Sequence, residues 1–168
     1  MCIRDRYKGN LSGKTFNIQS AINENFQVEV TNSSIVDHTN VQLWSNSGTN
    51  NRKFRFESAG NGYYRIIARN SEKALAVSNG NVEQQFTANS DAQLWKVFIS
   101  GDGKTVLQNK TGGYLSVNAA ANGTNTVVDK TVGGAGQKFL LKETEYHADI
   151  KNGEYNLCLL YTSPSPRD

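Results

Sequence analysis

Gln42 and Trp44 are the residues whose types and spacing most invite chemistry. They lie in the run Val41-Gln42-Leu43-Trp44, which alternates with the period of a half-buried strand. If Val41 and Leu43 face a core, Gln42 and Trp44 share the outer face. An indole there offers an apolar ring. An amide beside it both donates and accepts hydrogen bonds, so ring and amide can meet one ligand. The plainer alternative is packing, with Trp44 covering a neighbouring loop and Gln42 an ordinary exposed glutamine.

Other reactive patterns fail on spacing. Gly13-Lys14-Thr15 invites a phosphate-loop reading, but that motif needs four residues between its glycines and a helix behind them. Gly9 to Gly13 leaves three residues, and Phe16-Asn17-Ile18 alternates as a strand, so the glycine reads as the start of a hairpin. His38 and His147 are far apart, lack partners at ligand spacing and read as surface histidines. No Gly-x-Ser-x-Gly elbow is present. The carboxylates are scattered, and no acid–base pair for glycoside hydrolysis stands out. A catalytic reading would require carboxylates converging in the loops around Asp37, His38 and Asp91. The expectation is therefore not an enzyme, with no metal and no cofactor.

The ends of the chain set themselves apart. Met1–Arg6 back-translates to ATG-TGT-ATA-AGA-GAC-A, and with AG in front its reverse complement encodes Cys158-Leu159-Leu160-Tyr161-Thr162-Ser163. Two ends of a natural gene have no reason to be reverse complements. They resemble a sequencing adapter translated at both ends of a DNA fragment, so 1–6 and 157–168 are read as scars outside the fold. Both cysteines, both prolines and the methionine fall in those scars. What remains has neither a disulfide framework nor a cysteine-ligated zinc. The net charge of +3 drops to +2 once Arg4, Arg6, Arg167, Asp5 and Asp168 are set aside. That balance argues against a dedicated nucleic-acid or membrane-surface binder. No apolar run approaches the ~20 residues of a membrane span. Asn, Gly, Ser and Thr dominate between β-branched and aromatic residues, the composition of short strands joined by tight turns.

The elements that would position Gln42 and Trp44 emerge from a repeat. Arg52-Lys53-Phe54, Gln93-Leu94-Trp95 and Gln137-Lys138-Phe139 carry aromatic anchors spaced by about forty residues, each opening a short alternating run. Upstream, Phe16-Asn17-Ile18, Tyr64-Arg65-Ile66 and Thr105-Val106-Leu107 follow glycine turns. Phe26-Gln27-Val28, Leu75-Ala76-Val77 and Leu115-Ser116-Val117 come next. Asn61-Gly62, Asn79-Gly80, Asp102-Gly103 and Asn122-Gly123 supply turn chemistry, because Asn and Gly tolerate positive φ. Four short strands in a unit of this length also suit a propeller blade, but three units are too few for a propeller. The fold class expected is all-β, a β-trefoil of three four-strand repeats at about 13–60, 61–101 and 102–143. Residues 7–12 and 144–156 are read as linkers. Gly153-Glu154-Tyr155-Asn156 echoes the first repeat and could begin a second trefoil.

Two Gln-x-aromatic anchors, Gln93 to Trp95 and Gln137 to Phe139, stand in register with a third, Arg52 to Phe54, where Arg breaks the Gln pattern; with their upstream strands of the Leu-x-Val kind they resemble the ricin-type β-trefoil lectin family. The resemblance covers Gly13 to about Lys142. It implies up to three shallow sugar pockets, one per repeat, in which an aromatic ring covers the C–H face of a pyranose and planar polar groups bond its hydroxyls. Gln42 and Trp44 match the family's dyad, and Asn51 matches its Asn ahead of the anchor. The family's Asp, in or just after the Leu-x-Val strand, is expected to be missing, since Gln27, Ala76 and Ser116 stand mid-strand and Val30, Asn79 and Ala119 follow. Asp37 could substitute, or could be a solvated turn residue. Asn79 and Phe86 form a weaker set in the second repeat, near Asp91 or Ala92. The third repeat has Lys130 and Gly136 at the aromatic and Asn positions and reads as structural. Phe54, Trp95 and Phe139 are expected in the core, with Gln93 and Gln137 bonding backbone nearby.

The resemblance implies a non-catalytic, carbohydrate-binding module from a larger secreted or surface bacterial protein. Its partners would be a glycan or polysaccharide and a covalently linked catalytic or second lectin domain. Its place would be extracellular or at the cell surface. The rival reading is a trefoil inactive toward sugars that serves as a protein-interaction or spacer domain.

Overall fold

The computed structural model describes residues 11–131 and 133–145. The two expected scars and the echo at 153–156 lie outside these residues. Among them stand twelve strands and no α-helix. The first repeat holds β1 (Lys14–Ser20), β2 (Phe26–Val30), β3 (Val41–Ser45) and β4 (Phe54–Gly60). The second holds β5 (Tyr63–Ala68), β6 (Ala74–Ser78), β7 (Asn81–Gln85) and β8 (Trp95–Ile99). The third holds β9 (Thr105–Asn109), β10 (Tyr114–Ser116), β11 (Val127–Asp129) and β12 (Phe139–Glu143).

The first and last strand of each repeat make a closed barrel. The antiparallel pairs run β1–β4, β4–β5, β5–β8, β8–β9, β9–β12 and β12–β1, which returns to the start. Closure leaves no strand edge in the barrel exposed to another chain. The inner strands of each repeat form three hairpins, β2–β3, β6–β7 and β10–β11, that cap one end. The anchors Phe54, Trp95 and Phe139 are fully buried, with Phe56, Ile18 and Ile66 among them. A single 3-10 turn precedes each anchor, at Asn50–Arg52, Asp91–Gln93 and Ala135–Gln137. Leu11, just ahead of the expected trefoil start, is buried in the same core.

Symmetry can be read from the hydrogen bonds where the hairpins meet. Asn40 bridges to Glu83, Asn81 pairs with Val127, and Gln42 bridges to Asn125. Asn40, Asn81 and Asn125 are therefore equivalent, and their amides close a ring. Asn40 Nδ2 donates to Asn125 Oδ1 at 2.7 Å, Asn125 Nδ2 to Asn81 Oδ1 at 2.7 Å, and Asn81 Nδ2 to Asn40 Oδ1 at 2.8 Å. Gln42, Glu83 and Val127 then form one equivalent set, and Trp44, Gln85 and Asp129 the next.

The hairpin registers correct the sequence alignment. Glu29 pairs with Gln42, Ala76 with Glu83, and Ser116 with Val127. The counterpart of Leu75-Ala76-Val77 is therefore Val28-Glu29-Val30, not Phe26-Gln27-Val28. A slip of two residues preserves the inward–outward alternation, so periodicity cannot detect it. The chain runs farther from Phe16 to Val28 than from Tyr64 to Leu75 or from Thr105 to Leu115, which hides the slip from spacing as well. The expectation that no carboxylate stands mid-strand is overturned, because Glu29 does. In the same way Gln85, not Phe86, occupies the Trp44 position of the second repeat, and Asp129, not Lys130, that of the third.

Candidate functional site

β3 delivers the dyad as alternation requires. Val41 and Leu43 are fully buried, Gln42 is half-buried, and Trp44 is 38 % exposed. Across the hairpin Gln27 stands opposite Trp44 and Glu29 opposite Gln42, so all four side chains share the outer face.

A polar network centres on Glu29, which is only 4 % exposed and pairs across the hairpin with Gln42. Its Oε2 accepts from Gln42 Nε2 at 2.7 Å. Its Oε1 accepts from Asn51 Nδ2 at 3.1 Å and from Arg52 Nη2 at 2.8 Å. Asn51 is 3 % exposed; the same Nδ2 also reaches the Val30 carbonyl at 2.8 Å, and its Oδ1 accepts from Thr49 Oγ1 at 2.6 Å. Arg52 Nη1 closes the circuit on Thr49 Oγ1 at 2.6 Å. The 3-10 turn carries Asn51 and Arg52 to the carboxylate, and the chain ahead of it receives Gln27 Nε2 on the Ser47 carbonyl at 2.9 Å. A carboxylate this deep needs a cation and amide donors, and it has both. Gln42 Nε2 donates to Glu29, and Oε1 remains as the acceptor of the amide.

The structure thus joins Gln42 to Asn51 through Glu29, with Trp44 on the same strand face as Gln42. Sequence reasoning missed Glu29 and Arg52. One signal was available, a charged residue flanked by valines in Val28-Glu29-Val30, which is an alternating run as good as the one chosen. The place of Arg52 is held by Gln93 and Gln137 in the other repeats, and both behave as expected. Gln93 Nε2 donates to the Phe86 carbonyl at 2.7 Å and its Oε1 accepts from Ala88 N at 2.9 Å. Gln137 bonds the Thr131 carbonyl and Gly133 N.

Asp37 does not join Trp44. It lies against the second repeat, where its Oδ1 accepts from Phe86 N at 2.8 Å and its Oδ2 meets His38 Nε2 at 3.1 Å. His38 Nδ1 lies 2.5 Å from Glu83 Oε2, which also accepts from Gln85 Nε2 at 2.9 Å. Carboxylates therefore do converge here, but on the two nitrogens of an exposed imidazole that fills the gap between them. The bond to Glu83 first, and the charge of Asp37 second, hold His38 above its usual pKa. Asp91 stands apart, paired with Lys110 at 3.3 Å. Phe86 is exposed, with Lys73 Nζ 4.5 Å from its ring centre. Asn79 is in the β6–β7 turn, where its φ of 50° and that of 82° at Gly80 suit a two-residue hairpin. It lies at the opposite end of that hairpin from Gln85 and Phe86, and the structure does not bring it to them.

In the third repeat the equivalents of Glu29, Gln42, Trp44 and Asn51 are Ser116, Val127, Asp129 and Gly136. A depression of about 290 Å³ lined by these small residues lies there. Among the described residues no cluster of His, Cys, Asp and Glu could hold a metal ion, and no helix is long and apolar enough to cross a membrane.

Known proteins share this architecture. Flavastacin from Elizabethkingia meningoseptica is 33 % identical over 95 residues, 52 % of this chain and 21 % of flavastacin, so the chain spans about a fifth of that relative's length. The crystal structure of ThreeFoil, a designed 3-fold symmetric protein, matches with a TM-score of 0.74 and 31 % identity, covering 77 % of this chain and 99 % of that one. The C-half of an earthworm R-type lectin, solved in complex with GalNAc, shares the fold at a TM-score of 0.64 and 19 % identity, over 78 % of this chain and 99 % of that one. The family model described as ricin-type beta-trefoil lectin domain-like matches residues 6–85 and 50–130, and the chain belongs to that family.

Proposed function

We propose that the first repeat is a carbohydrate-binding site. The indole of Trp44 stacks on the C–H face of a sugar ring, and Gln42 Oε1 accepts from a hydroxyl at the ring's edge. One observation carries this reading: a buried carboxylate, an arginine and two amides are organised on the hairpin that carries an exposed tryptophan, an arrangement that no other repeat has among the described residues. A buried ion pair is a weak stability device, whereas it is an effective way to fix the orientation of a recognising amide. Asn51 and Arg52 are then supports, holding Glu29 and through it Gln42. Catalysis is no part of the proposal. The module would hold a linked domain of a secreted or surface protein near a glycan, a reading supported by the small share of flavastacin that it matches. Single-site affinity should be weak because the site is shallow, and a linked second site would add avidity.

One observation favours the rival, a trefoil inactive toward sugars. Both oxygens of Glu29 already have partners, so no free carboxylate remains for a hydroxyl pair. Tryptophan fluorescence of the full chain, titrated with galactosides, xylo-oligosaccharides and cell-wall glycans, separates the two. A saturable change lost in Trp44→Ala, with circular dichroism unchanged, is the expected result. No response up to tens of millimolar would leave the rival standing.

A further inference from the structure

The Trp44 platform has a second wall that comes from the third repeat. The loop from Ala121 to Thr124 is clamped onto β3: Leu43 N donates to the Thr124 carbonyl at 2.8 Å, and Gly123 N donates to the Leu43 carbonyl at 2.9 Å. Gly123, at a φ of +87°, lies so close that a Cβ there would stand 3.9 Å from Trp44 Cζ3. Beside it the exposed Asn122 accepts Ser45 N on its Oδ1 at 2.7 Å. Only the oxygen of an amide can accept from an N–H, so this bond fixes the side chain's sense. Its Nδ2 is left as a donor pair, next in sequence to the Gly123 that meets the indole and next to Ser45, with no other partner among the described residues.

The second repeat holds an internal control. Asn122 lies three residues before Asn125 of the amide ring, as Asp37 lies three before Asn40. Ser45 follows Trp44 as Phe86 follows Gln85, and Asp37 accepts Phe86 N just as Asn122 accepts Ser45 N. The clamp thus works with either side chain. What differs is the remaining atom, an amide nitrogen beside Trp44 and a carboxylate oxygen beside Gln85.

We propose that Asn122 is a specificity-determining residue of the Trp44 site, its Nδ2 donating to a neutral carbonyl acceptor on the stacked sugar, as an acetamido substituent supplies. This rests on the sugar-binding reading of that site. A carbonyl suits the position better than a carboxylate, because the cation of the site, Arg52, is already committed to Glu29. A hydroxyl gains less, since water serves it equally well. The site is therefore composite, with its platform from one repeat and its selector from another.

The test is a fluorescence titration of the full chain with five methyl glycosides: N-acetylgalactosamine against galactose, N-acetylglucosamine against glucose, and glucuronic acid as the anionic comparison. The natural protein should prefer the acetamido member of at least one pair by about three- to tenfold, the range of one net hydrogen bond. Asn122→Asp keeps the acceptor for Ser45 N and removes the donor. It should abolish the preference while leaving the affinity for the plain sugar within about twofold. Equal binding of both members by the natural protein, or an unchanged preference in N122D, overturns the role of Asn122 and leaves the Trp44 site intact. A preference for the methyl glycoside of glucuronic acid over both acetamido sugars also overturns it. Loss of all binding in Trp44→Ala but not in N122D shows that the platform and the selector are separate. No binding of any glycoside or glycan by the natural protein removes the site itself, and the selector with it.

Discussion

The first and third repeats begin from the same scaffold, and among their differences one position decides how the turn meets the hairpin. Asn51 and Gly136 are equivalent, each in the 3-10 turn ahead of a buried aromatic anchor. In the first repeat the Asn51 amide stands between the turn and β2, donating to the Val30 carbonyl and to Glu29. In the third the turn closes directly on the strand. Val117 N donates to the Gly136 carbonyl at 2.9 Å, and a Cβ on Gly136 would fall 2.1 Å from the Val117 oxygen. A side chain that spaces the turn outward makes room for a charged network; a glycine removes both the room and the network. The fold tolerates either because the anchors beneath, Phe54 and Phe139, are equally buried. What fills the gap between turn and hairpin thus decides whether a repeat holds a charged network.

That contrast can be broken from either side, and the largest effect should come from the ion pair. Arg52→Ala leaves the Glu29 carboxylate buried without its cation and should cost about 3–5 kcal/mol, read as a lower midpoint in urea. The same change at Gln93 or Gln137 removes only bonds to backbone groups and should cost about 1–3 kcal/mol. If all three cost the same, the network of the first repeat has no special standing. Next comes Gly136→Asn, which mimics the first repeat in the third. The overlap with the Val117 carbonyl forces a backbone shift and should destabilise by about 1–3 kcal/mol. A neutral result would mean that the turn is free to move outward and that the contrast is superficial.

Smaller effects sharpen the picture. Asn125→Ala opens the amide ring and should lose about 1 kcal/mol, with Asn40→Ala and Asn81→Ala matching it if the axis is truly three-fold. The His38 latch between the first and second repeats has a pH signature. Its pKa is raised by Glu83 and Asp37, so its contribution is complete below the unfolded value of about 6.5 and fades as pH rises through the folded value. The melting temperature of the natural protein should therefore exceed that of His38→Ala by more at about pH 5.5 than at about pH 8. An equal gap at both would show that the imidazole carries no linked proton.

How much of this was legible before the structure follows from the physics of each signal. The all-β class and the three anchors came from periodicity and spacing, which report burial directly. Phe54, Trp95 and Phe139 are in the core as that logic requires. Trp44 and Gln42 were found because an outward pair on a strand breaks the expected polarity. Glu29 was missed because register, not periodicity, places it, and register depends on how far the chain runs from Phe16 to Val28. Asp37, open in the sequence between a substitute near Gln42 and a solvated turn residue, meets the second repeat instead for a related reason. Its loop crosses to the next repeat, and sequence proximity to Gln42 says nothing about contacts made across a symmetry axis. The role of Arg52 was hidden behind its departure from the Gln pattern, which marked the repeat as different without saying how.

The central claim is that Trp44 is a ligand platform and Trp95, the other tryptophan, a core anchor. The two indole N–H signals in a nitrogen-15 NMR spectrum test it within one sample. Trp95 Nε1 is buried and donates to the Leu75 carbonyl at 3.1 Å, so it serves as the internal reference. On addition of a binding glycan the Trp44 signal should move saturably while the Trp95 signal stays. Movement of both together, or of neither at tens of millimolar glycan, would contradict the account.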